Sequence, residues 1–350
     1  MDRVRVGIIG GGRISDLHIP GYRNLPTAEL VAVCDVREEV ARRRAIEWGL
    51  SRFCTDYHDI LNDPDIDMVE ILAPHNLHAE MSIAAARARK HISVQKPMAL
   101  TVIECDQMIE AAKKAGVKLK VYENFVFYPP YRKAKELMDA GEIGEPLSIR
   151  LHLGTALRGG WWTPLTTWMW HFTESECGSG PAIFDDGYHK FSLAIYFFGE
   201  VEKVYGWIDY SFAIVDEPSI ISWVHKNGRR GYMDATLSPN LYVKSKYYSA
   251  DERVEITGTK GIIWITRCTG QLLDVPPLIL YRDGKTLSFN DIRADWQDSF
   301  TDSTRDFIDC ILTGREPTLT GEKGKEVLRF ALSAYESSRL RKEINPNDIK

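Results

Sequence analysis

An apolar run, Val4 to Ile9, leads directly into Gly10-Gly11-Gly12-Arg13-Ile14-Ser15 and then an amphipathic stretch. No other feature restricts the possible folds as much. Gly10 permits a tight turn, and Gly12 lets the backbone approach a pyrophosphate at a helix N terminus, where N–H groups and the dipole favour an anion. Ser15 stands where the third glycine of the fingerprint falls, and it is small enough for close helix packing. Glycine triplets alone are commonly ordinary turns, so Asp35 matters. It ends the next apolar run, Leu30 to Cys34, where a carboxylate accepts hydrogen bonds from adenosine ribose hydroxyls. It also suits an N-cap for the helix beginning near Arg37, and the two roles are compatible. In this order the elements read as a dinucleotide site formed by Gly10, Gly12, Arg13, Ile14, Asp35 and Arg37. A carboxylate there repels a 2′-phosphate, so NAD is expected over NADP. Arg37 is open to three roles: stacking on adenine, meeting a phosphate, or remaining a solvated first-turn residue.

From Val4 to about Tyr122, short apolar runs alternate with amphipathic ones, the pattern of a parallel sheet covered by helices. Strands are expected at Val4–Ile9, Leu30–Cys34, Met68–Leu72, Ile92–Val94 and Leu119–Tyr122. Helices are expected at Arg37–Trp48, Ala79–Arg89 and Ile103–Ala115, with another opened by Pro129-Pro130 and closed by Gly141. After Gly144, period-2 alternation and turns such as Lys226-Asn227-Gly228 and Asp283-Gly284 predict an antiparallel sheet. Two closing helices follow, Trp296–Leu312 and Glu322–Arg341. The expected class is α/β plus α+β: a doubly wound Rossmann domain over 1–124, then an α+β domain over 125–350.

The charge balance, 49 acidic against 44 basic residues without a long basic run, argues against nucleic acid as a partner. Six cysteines with no Cys-x-x-Cys pair fit reduced thiols rather than zinc or a disulfide framework. Neither a leader nor a long apolar span is apparent, so a soluble cytoplasmic protein without membrane association is expected.

Gln95-Lys96-Pro97 follows a strand end, where α/β sheets present functional groups. A lysine beside nicotinamide can hold a substrate hydroxyl and stabilise the alkoxide, although a lone Lys-Pro pair is usually a solvated turn. Asp185 and His189 are four residues apart, so a helix would put them on one face, the carboxylate orienting an imidazole suited to proton removal. The alternative is a surface helix pair. Four tryptophans lie between Trp161 and Trp170. Trp161 and Trp162 could stack on a sugar ring, with His171, Glu174 and Asp186 meeting hydroxyls; loop packing or a subunit interface is an equal reading. His75, His78 and His171 do not make a complete ligand set, and no metal is expected.

Together the glycine turn, Asp35, Lys96-Pro97 and the Asp185/His189 pair resemble the Gfo/Idh/MocA family over almost the whole chain. Ala73-Pro74-His75-Asn76-Leu77-His78 resembles its nicotinamide-side loop, and Glu123-Asn124 takes the place of its cofactor-contacting Asn. The resemblance implies an NAD-dependent oxidoreductase acting on a sugar, polyol or glycoside bound between the domains, with Lys96, Asp185 and His189 catalytic. It places Ala73, Pro74, His75, His78, Gln95, Lys96 and Asn124 beside the cofactor and implies a homodimer or homotetramer. A lyase or glycosidase using NAD transiently, or a non-catalytic nucleotide sensor, are the alternatives. Gln95 replaces the family's frequent Glu, and Ser192 stands where many relatives carry Asp, so the substrate cannot be copied from inositol dehydrogenase.

Overall fold

The computed structural model describes residues 2–161, 168–210 and 215–350. By contact density the chain divides into two compact units, Met1–Glu123 with Phe300–Leu328, and Asn124–Ser299 with Arg329–Lys350.

The first unit holds six parallel strands: β1 (Val4–Ile9), β2 (Ala28–Cys34), β3 (Arg52–Cys54), β4 (Met68–Ile71), β5 (His91–Gln95) and β6 (Leu119–Tyr122). Their order, β3-β2-β1-β4-β5-β6, puts the topological switch point between β1 and β4, where doubly wound sheets bind dinucleotides. Strands β1, β4 and β6 are buried on both faces because helices cover both. Among these helices are α1 (Ser15–Arg23), α2 (Glu38–Trp48), α3 (Tyr57–Asn62), α4 (His78–Arg87) and α5 (Val102–Ala115). Helix α5 begins with a capping box: Thr101 Oγ1 accepts from the Glu104 N–H at 3.2 Å, and Glu104 Oε2 accepts from the Thr101 N–H at 2.9 Å. Gly49 and Gly116 close α2 and α5 in the left-handed conformation.

Residues 300–328, which the sequence expectation groups with the later domain, cluster with this first unit. Phe307, Ile308 and Cys310 pack into the same core as Val4, Val6 and Ile8 of β1. The chain then covers the β6 edge, with Val121 donating its N–H to the Leu319 carbonyl at 3.2 Å. No local marker announces this return, because it rests on packing between distant segments.

The second unit starts with helix α6 (Pro129–Asp139) and builds an eight-stranded sheet from β7 (Pro146–Arg158), β8 (Val201–Ile208), β9 (Ser219–His225), β10 (Arg230–Tyr242), β12 (Ala250–Gly258), β13 (Gly261–Ile265), β15 (Leu278–Arg282) and β16 (Lys285–Phe289), while β11 (Lys244–Ser245) and β14 (Gly270–Gln271) pair separately. All neighbours in the large sheet are antiparallel except β7 and β10, which run parallel. Alternating burial along β9 and β13 shows one face buried and the other open. Asn227-Gly228 and Asp283-Gly284 turn the two hairpins expected of them. Helix α7 (Gly187–Phe198) lies in this unit; α8 (Trp296–Thr313) and α9 (Gly321–Leu340) follow the sheet. No helix among the described residues is long and apolar enough to cross a membrane.

Candidate functional site

The glycine turn is shaped by what surrounds it. Gly10 has φ +107, and a Cβ there would lie 2.4 Å from the Leu72 carbonyl oxygen, so the position requires glycine. A Cβ on Gly12 would meet nothing within 4 Å, so the turn is open on that side, as a backbone cradle for a pyrophosphate must be. Ser15 donates its hydroxyl to the Gly12 carbonyl at 2.7 Å and opens α1.

Asp35, at the end of β2, fixes the turn from its far side. Its Oδ2 accepts the Gly11 N–H at 3.0 Å, while Oδ1 accepts the Arg37 N–H at 3.0 Å and lies 3.5 Å from Arg37 Nε. A carboxylate has about four acceptor positions, so capacity remains for ribose hydroxyls. Arg37 is thus engaged with Asp35 through both backbone and side chain.

Arg44 is a residue that the sequence reading missed. Its Nε donates to the Gly11 carbonyl at 2.9 Å and its Nη2 to the Gly12 carbonyl at 3.3 Å, while Nη1 pairs with Asp16 Oδ1 at 2.6 Å. One guanidinium thereby secures the carbonyls of the turn and the first turn of α1. The signal was present: Arg44 sits on the buried stripe of α2 with Val40, Ala41, Ala45 and Trp48, an unusual place for a charge. Arg13 pairs with Asp16 at 2.9 Å, half-exposed.

Lys96 follows the C-terminal end of β5 in the same sheet, and the Lys96–Pro97 bond is cis. Gln95 Oε1 accepts the Lys96 N–H at 2.8 Å, and Gln95 Nε2 lies 2.9 Å from His18 Nε2. In the 73–78 loop, His78 Nδ1 is 2.8 Å from the Pro97 carbonyl and Nε2 is 3.0 Å from that of Ala73. Burial depresses its pKa to about 3, against the two carbonyls, which favour the charged ring. The neutral imidazole donates to one of them at a time, and its place makes it a strap between the loop and the Lys96–Pro97 turn. His75 is buried beside it, ring centroids 5.6 Å apart.

In the second unit, Pro181–Asp186 form a π-helical turn that runs into α7, so Asp185 lies in the wider coil and His189 in the ordinary one. Asp216 caps this segment. Its Oδ1 accepts the Ala182 N–H and its Oδ2 the Ile183 N–H, each at 2.8 Å, and Tyr335 donates its hydroxyl to Oδ2. A Cβ on Gly180 would lie 2.4 Å from Asp216 Oδ2, so the capping carboxylate leaves no room for a side chain. Burial raises the pKa of Asp216, opposed by these three donors.

Asp185 and His189 are both buried. The His189 ring stacks on Phe125 with centroids 3.9 Å apart and planes at 16°. Asp185 Oδ2 lies 3.6 Å from His171 Nε2, a juxtaposition that the i,i+4 spacing did not foresee. His171 packs between Trp168 and Trp170, with centroids 4.7 and 3.7 Å away. Trp161 sets its edge against Tyr247 and Tyr248. Trp162 lies outside the described residues. Asp186 follows Asp185 at the end of the π turn and is half-buried, and Asn124 donates its side-chain amide to Ser299 Oγ at 2.7 Å.

Comparison with known proteins adds the following. Residues 4–123 match the model of an oxidoreductase family with an NAD-binding Rossmann fold, and residues 131–264 match the GFO/IDH/MocA C-terminal domain. The chain is 28% identical to a myo-inositol 2-dehydrogenase of Thermotoga maritima, covering 99% of each protein. It is 29% identical to a scyllo-inositol 2-dehydrogenase (NAD(+)) of Bacillus subtilis, covering 96% of this chain and 94% of that one. A levoglucosan dehydrogenase solved with NADH and levoglucosan superposes with a TM-score of 0.83 at 25% identity, over 98% of this chain and 99% of the other.

Proposed function

The chain belongs to the Gfo/Idh/MocA family of NAD-binding oxidoreductases, and from that premise we propose that it transfers hydride between NAD and a secondary alcohol or ketone of a sugar or polyol. The observation that carries this reading is the Asp35 carboxylate bound to the Gly11 N–H in the sheet that also presents Lys96. It fits an adenosine ribose without a 2′-phosphate. Relatives named for inositols and for levoglucosan support a polyhydroxylated substrate.

NAD, held at the turn of Gly10 and Gly12 and by Asp35, would supply the acceptor for hydride from the carbinol carbon. His189 takes the hydroxyl proton, its ring held flat against Phe125. Lys96 hydrogen-bonds the same oxygen and stabilises the alkoxide that forms. Asp185, 3.6 Å from His171 Nε2, is the carboxylate assigned to orienting the proton-transfer group. His171, Asp186, Trp161 and Trp162 contribute to substrate binding. Reduction uses the same groups in reverse.

We place the protein in the cytoplasm as a homo-oligomer. Trp207, Ile220, Tyr232 and Tyr281, all exposed on strands of the large sheet, support assembly through its open face. Light scattering after gel filtration tests that. Incubation with NAD and a panel of inositols, aldoses and anhydrosugars, with ketone products read by mass spectrometry, tests the reaction; a panel that yields no ketone contradicts it.

A further inference from the structure

Behind the Lys96 backbone a half-buried Gln95 leads to the buried side chains of His18 and Glu70, with a fixed hydrogen-bond polarity. Lys96 donates its backbone N–H to Gln95 Oε1. With the amide turned the other way, NH2 would face the Lys96 N–H, donor against donor. The amide nitrogen therefore faces His18 Nε2, which must be the acceptor. The ring proton consequently sits on Nδ1. Nδ1 lies 3.2 Å from Glu70 Oε1, an ion-pair distance that is out of line for a hydrogen bond, and Tyr22 donates its hydroxyl to the other carboxylate oxygen.

Both His18 and Glu70 are fully buried. Burial lowers the His18 pKa, with Lys120 acting in the same direction and Glu70 against it. Lys120 is itself buried and donates to the Ser303 carbonyl at 2.8 Å. The imidazole is confined by Tyr122 and Phe300, centroids 4.1 and 5.1 Å away. The members of the chain come from α1, β4 and the end of β5, so three elements converge on one peptide group.

We propose that His18, held as the neutral Nδ1–H tautomer beside Glu70, is a positioning residue for Lys96, acting through the Gln95 amide on the backbone that carries the lysine. This rests on the reading of Lys96 as the group that meets the substrate oxygen. A glutamate at position 95 would instead offer His18 an acceptor and favour an imidazolium. The glutamine in this chain demands the neutral ring.

Nitrogen-15 NMR of the imidazoles in the NAD-bound protein, with His18 assigned by its loss in His18→Gln, reads the tautomer without any substrate. The expected result is a ring protonated on Nδ1 only at neutral pH; protonation on Nε2 overturns the proposal. In Gln95→Glu, a near-isosteric change, His18 should become doubly protonated, and an unchanged neutral ring overturns it as well. For turnover, His18→Leu removes the acceptor while His18→Gln keeps one. The expected loss for His18→Leu is on the order of 100-fold in kcat, with KM for NAD and NADH affinity within about twofold, and His18→Gln should restore most of it. Equal losses in both variants at matched thermal midpoints, or a loss confined to NADH affinity, refute the positioning role. Absence of turnover in the unaltered protein would count against the role of Lys96, while the tautomer still decides the chain behind it.

Discussion

Asp35 Oδ2 accepts the Gly11 N–H at 3.0 Å, joining the end of one strand to the turn that follows its neighbour. The same carboxylate holds the Arg37 N–H, so it organises its surroundings before any ribose arrives. Asp35→Ala should weaken NAD binding about tenfold or more, since hydrogen bonds to a charged group contribute roughly 1.5–3 kcal/mol. It should weaken NADP binding less, because the repulsion of a 2′-phosphate is also removed. Calorimetric titration of both nucleotides checks this; equal losses for the two would contradict it.

Arg44→Met keeps the aliphatic stem on the buried face of α2 and removes the donors to the Gly11 and Gly12 carbonyls. The expected cost is about 1–3 kcal/mol of stability, the range for leaving buried polar groups unsatisfied. Chemical denaturation with and without NAD reads it, and the stabilisation conferred by NAD should shrink in the variant.

Asp216→Asn leaves a single side-chain acceptor where Ala182, Ile183 and Tyr335 all donate. The loss should be about 1 kcal/mol, typical of a helix cap. Because the capped segment carries Asp185 and His189, turnover should fall further than NADH affinity. An unchanged kcat would separate the cap from the site.

Glu217 is fully buried, accepts from Thr155 Oγ1 at 2.6 Å, and has its pKa raised to about 8 by burial, with Asp186 and Asp216 adding to the shift. The folded state therefore holds a proton that the unfolded chain releases near the ordinary glutamate value of 4.5. Its contribution is fully present below that value and is lost as pH rises towards about 8. Across this window Glu217→Gln should gain stability relative to the unaltered protein by at most about 1.4 kcal/mol per pH unit. Parallel denaturation curves over the window would contradict the assignment.

Short-range patterns carried much of this architecture. β1, β6 and the glycine turn with Asp35 were legible because a strand's apolar run and a turn's φ demand are local. β3, three residues long, offers no alternation to read. The parallel pairing of β7 with β10 leaves no mark on either strand's pattern. At the candidate site, individual residues were visible and their couplings were not. Asp185 sits in a π turn and approaches His171, which spacing along one helix does not announce, and Asp216 caps a segment over 30 residues before it. His18 and Glu70 read as ordinary helix and strand positions until the fold places Glu70 beside His18 and His18 beside Gln95.

The central claim is hydride exchange between NAD and a sugar or polyol carbinol, with Lys96 at the substrate oxygen. Its most direct test is NADH formation across a panel of inositols, aldoses and anhydrosugars, for the unaltered protein and for Lys96→Ala, with NADH affinity titrated in parallel. The account predicts turnover of at least one polyol, a loss of about 10²- to 10⁴-fold in the variant, and NADH affinity within about twofold. A variant that turns over at the original rate, or an unaltered protein that binds NADH yet oxidises no member of the panel, would contradict it.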